Sequence, residues 1–548
     1  MVYPRNVPES LVKSFTENGY WLEKTLFDFL ADTASKSPDE IAIRHGSSSY
    51  TFSDFKRISM HLASQLRRTG IGKGDLVSVQ LQNCPAFMFL KVALSIIGAI
   101  INPIHLVYRK RDTYSMLNFC GSKLFLFPSR FMNRDFIEEY SDIYDNVPSL
   151  KNISILDLPQ DGIVSLRHIP FARLTDNNNG ADFVAPCTAA DDIFYLNFTS
   201  GTEGDPKGFL HTFNTFLSPT YGNSMDFKLC KDDTLLTLSP MTHSFGHMIT
   251  YYCAMTGSKV VIVEKYDPLE VLKAIESENV TFLQGTPAHL YGLLNHGDFS
   301  NFKIDSVRIV MTGGSLVPKD LLYKVRERLG AEIINCYGMG ENIIHTKTRV
   351  EDPDWAKIET VGKPFWGSEV RIFEQVPPSS KDGMTVGEIG YRGPNLFIEY
   401  FRNPARTDET RDRGGWFLTG DIGYLDEHGY LRVTGRKKDI INRGGTKIYP
   451  GEVEDLLRRH PNIRDVSIVG MSDNVLGERS CAFVIPRTGY DPVTVEEIQD
   501  FLRSLNVTPY KLPERVEIVK DFPMTPTGKV RKEDLRMRIN KLIALGGE

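Results

Sequence analysis

Short runs of β-branched, aliphatic and aromatic residues recur along the chain at 76–81, 124–127, 260–263, 281–283, 307–311 and 333–336, separated by segments of helical length. This alternation predicts α/β layers with mainly parallel strands. Several runs end in polar or glycine-rich stretches, as where 307–311 leads into Thr312-Gly313-Gly314-Ser315. Ligands of open α/β sheets bind outside the carboxyl ends of the strands, so such stretches are candidate walls of a site.

From Gly387 the pattern changes to short strands and turns, punctuated by Gly414-Gly415 and Asp426-Glu427-His428-Gly429, which predicts a small β-rich subdomain. A charged connection, Gly435-Arg436-Lys437-Lys438-Asp439, precedes a fresh α/β pattern: helix over 450–460, strands over 466–469 and 482–485, helix over 495–505. The domain boundary falls at Lys438. Asn177-Asn178-Asn179-Gly180 reads as a surface loop, and no internal repeat is evident.

At 548 residues the chain is too long for one simple core, which predicts two or more domains. A net charge of −5 leaves no broad basic field and argues against nucleic acid as the main partner. The longest apolar run, 92–101, is far short of the roughly 20 residues needed to span a bilayer, and residues 1–10 lack a signal-peptide apolar region. A soluble cytoplasmic protein is expected. Seven scattered cysteines, never in a Cys-x-x-Cys pair, read as reduced and mostly buried thiols.

Candidate chemistry concentrates in Thr199-Ser200-Gly201-Thr202-Glu203-Gly204-Asp205-Pro206-Lys207-Gly208. The glycines let successive amides converge on phosphate oxygens, the hydroxyls add donors, and Lys207 adds a positive charge. A Walker loop needs lysine directly after glycine and Ser or Thr after the lysine. Lys207 follows Pro206, and the Gly-Lys pairs at Lys73, Lys363 and Lys529 continue with Gly, Pro and Val, so that reading fails. Companion signatures of a kinase-type loop are also lacking.

Further motifs follow in order: Pro240-Met241-Thr242-His243, Gly313-Gly314-Ser315, Asn335-Cys336-Tyr337-Gly338-Met339-Gly340-Glu341, Phe417-Leu418-Thr419-Gly420-Asp421, Arg436 with Lys438, Asn442-Arg443-Gly444-Gly445-Thr446-Lys447, and Pro526-Thr527-Gly528-Lys529. Tyr337 offers a π-face for a flat ring and Glu341 a hard carboxylate. His243 and His247 stand at helical spacing, but no third ligand with zinc-like spacing is near.

With these motifs the chain resembles the adenylate-forming superfamily over nearly its whole length, looking closest to alicyclic and medium-chain acyl-CoA ligases and 2,3-dihydroxybenzoate-AMP ligases. The resemblance implies an α/β fold: a large multi-layer N-terminal adenylation domain, 1–437, of α/β layers plus a small β-barrel subdomain, and a smaller mobile α+β C-terminal lid domain, 438–548, with Lys438 as hinge. It implies that Thr199, Ser200, Gly201, Thr202, Glu203, Gly204 and Lys207 hold the ATP phosphates. Gly313, Gly314, Ser315, Asn335, Tyr337, Gly338, Met339 and Gly340 would shape the adenine and acyl pocket, and His243 would border the acyl carboxylate. Thr199 and Glu341 would serve Mg²⁺, Asp421 and Arg436 the ribose and phosphate. Gly444 and Gly445 would lie where CoA enters, and Lys529 would be the catalytic lysine. One position departs from the pattern: the family usually has Thr or Ser directly before the glutamate, and Gly340 supplies no hydroxyl.

The implied reaction is ATP-dependent formation of acyl-AMP and pyrophosphate, then transfer to CoA. Aryl-acid enzymes that bind an ortho-hydroxyl typically carry Asn after the motif histidine, where this chain has Ser244, and 240–247 contain no Asp to pair with an amino-acid ammonium. An uncharged medium-chain, alicyclic or aromatic acid is favoured. A free-standing aryl-acid ligase serving a phosphopantetheinyl carrier protein, a luciferase-like oxygenase and a non-catalytic nucleotide-binding protein stay open at this stage.

Overall fold

The apolar run over 92–101 is divided by a glycine. In the computed structural model, helix Pro85–Ile97 is buried along its whole length, Gly98 caps it with a left-handed φ of +73°, and strand Ile100–Pro103 follows. Residues 3–156, 168–170, 185–199, 207–314, 317–381, 384–524 and 529–545 are described. The loop read at 177–180 lies outside them.

All the predicted strand runs between 76 and 336 form parallel strands: Leu76–Val79 and Leu124–Pro128 in one sheet, Lys259–Ile262, Phe282–Gly285, Ile309–Gly313 and Glu332–Tyr337 in another. The first sheet has seven strands and ends in the antiparallel hairpin Ile193–Thr199 and Lys207–Thr212. The second has nine, with a parallel centre and antiparallel strands at both edges. Helices pack their apolar faces on the second sheet: Leu272, Ile275, Leu290, Leu293, Leu321 and Val325 are fully buried or nearly so against Leu236, Leu283 and Val310. Burying such side chains stabilises by about 1.5–3 kcal/mol each before entropy is counted.

The chain divides into two compact units. The larger takes most residues up to Glu369 together with Arg392–Trp416; the smaller takes Val370–Tyr391 and everything from Phe417. Nearly all in the smaller unit, a four-stranded sheet includes Met384–Arg392, Phe417–Leu425 and Leu431–Arg436 in antiparallel pairing. A five-stranded sheet pairs Ile463–Asp473 with Gly477–Pro486, flanked by helices Pro450–Leu457 and Val495–Ser504, close to the elements expected there. The fold is thus mixed α/β, with several sheets in the N-terminal part and a small C-terminal domain. Five of the seven cysteines are buried and none is paired. No helix among the described residues is long and apolar enough to cross a membrane.

Candidate functional site

Lys207 stands opposite Thr199 in the antiparallel pair Ile193–Thr199 and Lys207–Thr212. Ser200, Gly201, Thr202, Glu203 and Gly204 lie outside the described residues, as does the side chain of Thr199. Side chains alternate along a strand, so Lys207, Phe209 and His211 share one face. That face meets Gly340: the buried Phe209 ring lies where a side chain at 340 would begin, and His211 Nε2 is 2.9 Å from the Gly340 carbonyl oxygen. A carbonyl only accepts, so Nε2 carries the proton. Burial pushes the His211 pKa down to about 4, which keeps the ring neutral. The strand face that carries Lys207 thus meets the residue directly before Glu341, although the two come from separate motifs.

Gly313 and Gly314 leave the end of strand Ile309–Gly313, whose neighbour Glu332–Tyr337 carries Asn335 and Tyr337; Gly313 pairs with Cys336. Ser315 lies outside the described residues. Close packing explains Gly313 and Gly338: a Cβ would stand 2.5 Å from the Cys336 oxygen and 2.2 Å from the Ile343 oxygen, respectively. The Asn335 amide donates to the Thr360 carbonyl at 3.0 Å, and its backbone N–H to Thr348 Oγ1 at 2.9 Å. Tyr337 stacks on His345 with centroids 4.8 Å apart and planes 14° apart. Burial lowers the His345 pKa to about 3, so this partner is also neutral.

After Tyr337 the chain makes a tight loop that sequence reasoning did not anticipate. Ile344 N–H donates to the Asn342 carbonyl at 2.6 Å across Ile343, whose φ is +62°. A γ-turn on a β-branched residue is strained and persists where surroundings over-determine it. Here Asn395, almost fully buried, donates from Nδ2 to the carbonyls of Asn342 at 2.5 Å and Ile344 at 2.7 Å. Met339 contributes its carbonyl to Ile343 N–H at 2.7 Å. Glu341 is held beside the turn: Tyr400 OH donates to Oε1 at 2.9 Å and Phe397 N–H to the Glu341 carbonyl at 2.7 Å.

His243 caps the short helix Ser244–His247, its Nδ1 accepting from Phe245 N–H at 3.2 Å. The partly buried ring of His105, absent from the sequence reading, stacks near it with centroids 6.0 Å apart, and Thr242 Oγ1 lies 2.9 Å from His105 Nδ1. Burial lowers the His105 pKa to about 4. His247 is no metal partner for His243: its ring nitrogens engage the Met241 carbonyl at 3.2 Å and Tyr251 OH at 3.1 Å. Ser244 Oγ is 3.0 Å from Tyr195 OH in the same buried cluster.

In the smaller unit Asp421 and Arg436 face each other across paired strands, Nε to Oδ1 at 3.3 Å. Asp421 is largely covered and Arg436 half exposed. Glu388, another residue the sequence did not flag, accepts from Gly420 N–H at 3.1 Å and from Lys437 Nζ at 2.7 Å. Lys438 is exposed within the short 3₁₀ turn Lys437–Asp439. Gly444 and Gly445, with φ of +56° and +87°, form the two-residue connection between Ile441–Arg443 and Thr446–Ile448. Positive φ at both central positions is the type I′ hairpin that glycine pairs favour. Lys529 is half-buried next to Val530, which bridges to Met524.

Residues 30–401 match the family described as AMP-binding enzyme, and residues 452–529 match the AMP-binding enzyme C-terminal domain. The chain belongs to the AMP-binding enzyme family. It is 32% identical over 532 residues to the medium-chain fatty-acid–CoA ligase of Escherichia coli (strain K12), covering 96% of this chain and 92% of that protein. It is 28% identical over 550 residues to the 2,3-dihydroxybenzoate-AMP ligase of Bacillus subtilis (strain 168), covering 98% of each. In fold it resembles the anthranilate CoA ligase AuaEII in complex with anthranoyl-AMP, with a TM-score of 0.84 at 22% identity over 95% of this chain and 98% of that one. This AMP-binding protein is accordingly an enzyme of the AMP-forming acyl-CoA ligase family, and a purely binding role is set aside.

Proposed function

We propose that this enzyme activates an uncharged medium-chain, alicyclic or aromatic carboxylic acid with ATP and passes the acyl group to coenzyme A. A carboxylate oxygen attacks the α-phosphorus, the bond to the β-phosphate oxygen breaks, and pyrophosphate leaves. The CoA thiol then attacks the acyl carbon, AMP departs with the bridging oxygen, and the thiol proton passes to solvent. The observation that supports this most directly is the shared strand face that serves Lys207 and, through Phe209 and His211, the segment carrying Glu341. On this reading it would bring a cation for phosphate and a carboxylate for Mg²⁺ into one unit.

Among the described residues no group of three or more His, Cys, Asp and Glu could hold a metal by itself. A single buried carboxylate such as Glu341 fits Mg²⁺, which is usually held by one or two carboxylates plus substrate phosphates. Glu341 would hold it, with Thr199 on the phosphate side, and the ion would neutralise triphosphate charge. Lys207 would bind the β- and γ-phosphates and Tyr337 the adenine face. Asp421 would take the ribose hydroxyls, with Arg436 beside them. Lys529 would supply positive charge as the carboxylate attacks, because acid and triphosphate otherwise repel each other. His243 would border the acyl carboxylate, and Gly444 and Gly445 the CoA path.

The two half-reactions need different groups at one carbonyl, which gives a reason for a hinge at Lys438. The medium-chain relative supports an aliphatic acid. Ser244, already engaged with Tyr195, supports an acid without an ortho-hydroxyl. A cytoplasmic setting suits seven cysteines that form no disulfide. Incubation with ATP, Mg²⁺ and aliphatic, alicyclic or aromatic acids, with and without CoA, tests the reading by mass spectrometry. Thioester formation that depends on CoA supports it. Adenylate that persists when CoA is present would instead point to a carrier-protein acceptor.

A further inference from the structure

The position before Glu341 lacks a side chain for a reason visible in the packing. A Cβ on Gly340 would lie 2.3 Å from Cε1 and 2.4 Å from Cζ of Phe209, far inside van der Waals contact. Backbone conformation does not demand the glycine, since its φ lies outside the left-handed region. The ring does. Phe209 is 2% exposed and pinned by its strand, with Phe209 bridged to Tyr400 and the flanking carbonyls of Gly208 and Leu210 accepting from Phe401 and Ile398 N–H at 2.7 and 2.8 Å. The missing hydroxyl therefore leaves no hole, and the wall beside Glu341 consists of Gly340 main chain backed by an aromatic ring.

We propose that Phe209 is a positioning residue for the nucleotide site, matched to Gly340, so that the two can change only together. Phe209 and His211 support residue 340 from one strand face, the ring filling the Cβ volume and Nε2–H fixing the carbonyl. Tyr400, on the segment bridged to Phe209, holds the next side chain. A threonine at 340 would have to drive the ring out of its packing, displacing the carbonyl from His211 and with it Glu341. The departure from the usual hydroxyl is then a consequence of the aromatic at 209 rather than a lost catalytic group. This inference rests on the proposed adenylation reaction for its functional consequence, but the steric match stands without it.

The test is a double-mutant cycle on the full-length enzyme with F209V, G340T and F209V/G340T. Acid-dependent ATP–pyrophosphate exchange and melting temperature without substrate are both read. G340T alone should lose about tenfold or more in kcat/KM for MgATP, with part of that loss restored in the double variant, since residues in contact couple by factors of roughly 2 to 150. Melting temperature should follow the same order. Restoration of exchange distinguishes positioning from mere packing, because the valine alone gives a cavity and no gain. Independent, multiplicative losses, or a G340T enzyme indistinguishable from wild type, would overturn the pairing. If no acid supports exchange in the wild type, the proposed reaction fails, while non-additive melting temperatures still decide whether the pair is matched. Should G340T not fold, G340A and F209V/G340A pose the same question with one added carbon.

Discussion

The phenol of Tyr400 donates to Oε1 of Glu341 at 2.9 Å, with both side chains less than a tenth exposed. Burial and the adjacent carboxylate push the Tyr400 pKa well above its ordinary value, so the phenol remains the donor at any working pH. Removing it would leave a buried carboxylate without the contact that fixes its orientation. A hydrogen bond to a charged group contributes about 1.5–3 kcal/mol. In Y400F the Mg²⁺ concentration for half-maximal pyrophosphate exchange should rise on the order of tenfold, with a smaller fall in rate at saturating Mg²⁺. An unchanged Mg²⁺ dependence would separate Tyr400 from the metal-facing role of Glu341.

Lys529 gives a prediction that splits the reaction. Its ammonium is expected to neutralise charge where carboxylate oxygen meets the α-phosphate, an interaction strongest in the transition state of the first step. K529A should lower adenylation by about 10²-fold or more, while thioester formation from synthetic acyl-AMP and CoA falls much less. Rapid-quench measurement of the two half-reactions checks this. Equal losses would show that the lysine serves both steps, or neither one specifically.

The two groups differ in how far the sequence revealed them. Lys529 and Glu341 sit in local motifs, and the parallel strands announce themselves because 124–127 or 333–336 are apolar runs bounded by turn residues. Tyr400, Asn395 and His105 carry no local signal: each acts through a partner brought up by tertiary packing, from 59 residues away for Tyr400 and 53 for Asn395 with Asn342. Phe209 and His211 were within reach of sequence reasoning, since they follow Lys207 at the strand period of two and so had to share its face. What that rule could not supply is the segment the face would meet. The γ-turn at Ile343 was hidden for a further reason, because nothing in the type Ile suggests a positive φ.

Gly444 and Gly445 carry a structural role that any functional assay must be separated from. Both have positive φ in a two-residue turn, and an L-residue in that region costs about 1–2 kcal/mol. A Cβ on Gly445 would meet no heavy atom of the described residues within 4 Å, so G445A is strained there only through its backbone. The expected result is a small loss of stability in the hairpin, read as faster amide exchange across Ile441–Ile448, with adenylation nearly unchanged. If CoA passes this turn, the KM for CoA should rise as well. A lower adenylation rate with an unaltered KM for CoA would remove the turn from the thioester step.

His289 allows the acid limb of stability to be tested by melting alone, without an activity assay. It occupies the third position of helix Pro287–Leu294 and completes a capping box with Thr286, Nδ1 lying 3.0 Å from Thr286 Oγ1. Glutamine is a usual residue at that position of the box, so H289Q keeps the cap and removes the titration. Burial lowers the His289 pKa from 6.5 to about 4. Between those values the unfolded chain binds the proton and the folded one does not, so stability is full above pH 6.5 and falls as the pH drops toward 4. His105 and His211, also lowered to about 4, add slopes of the same sign. Melting temperature should therefore decline as the pH is taken from 7 to 4.5, and less steeply in H289Q than in wild type; parallel curves would mean that His289 is protonated in the folded enzyme at an ordinary pKa.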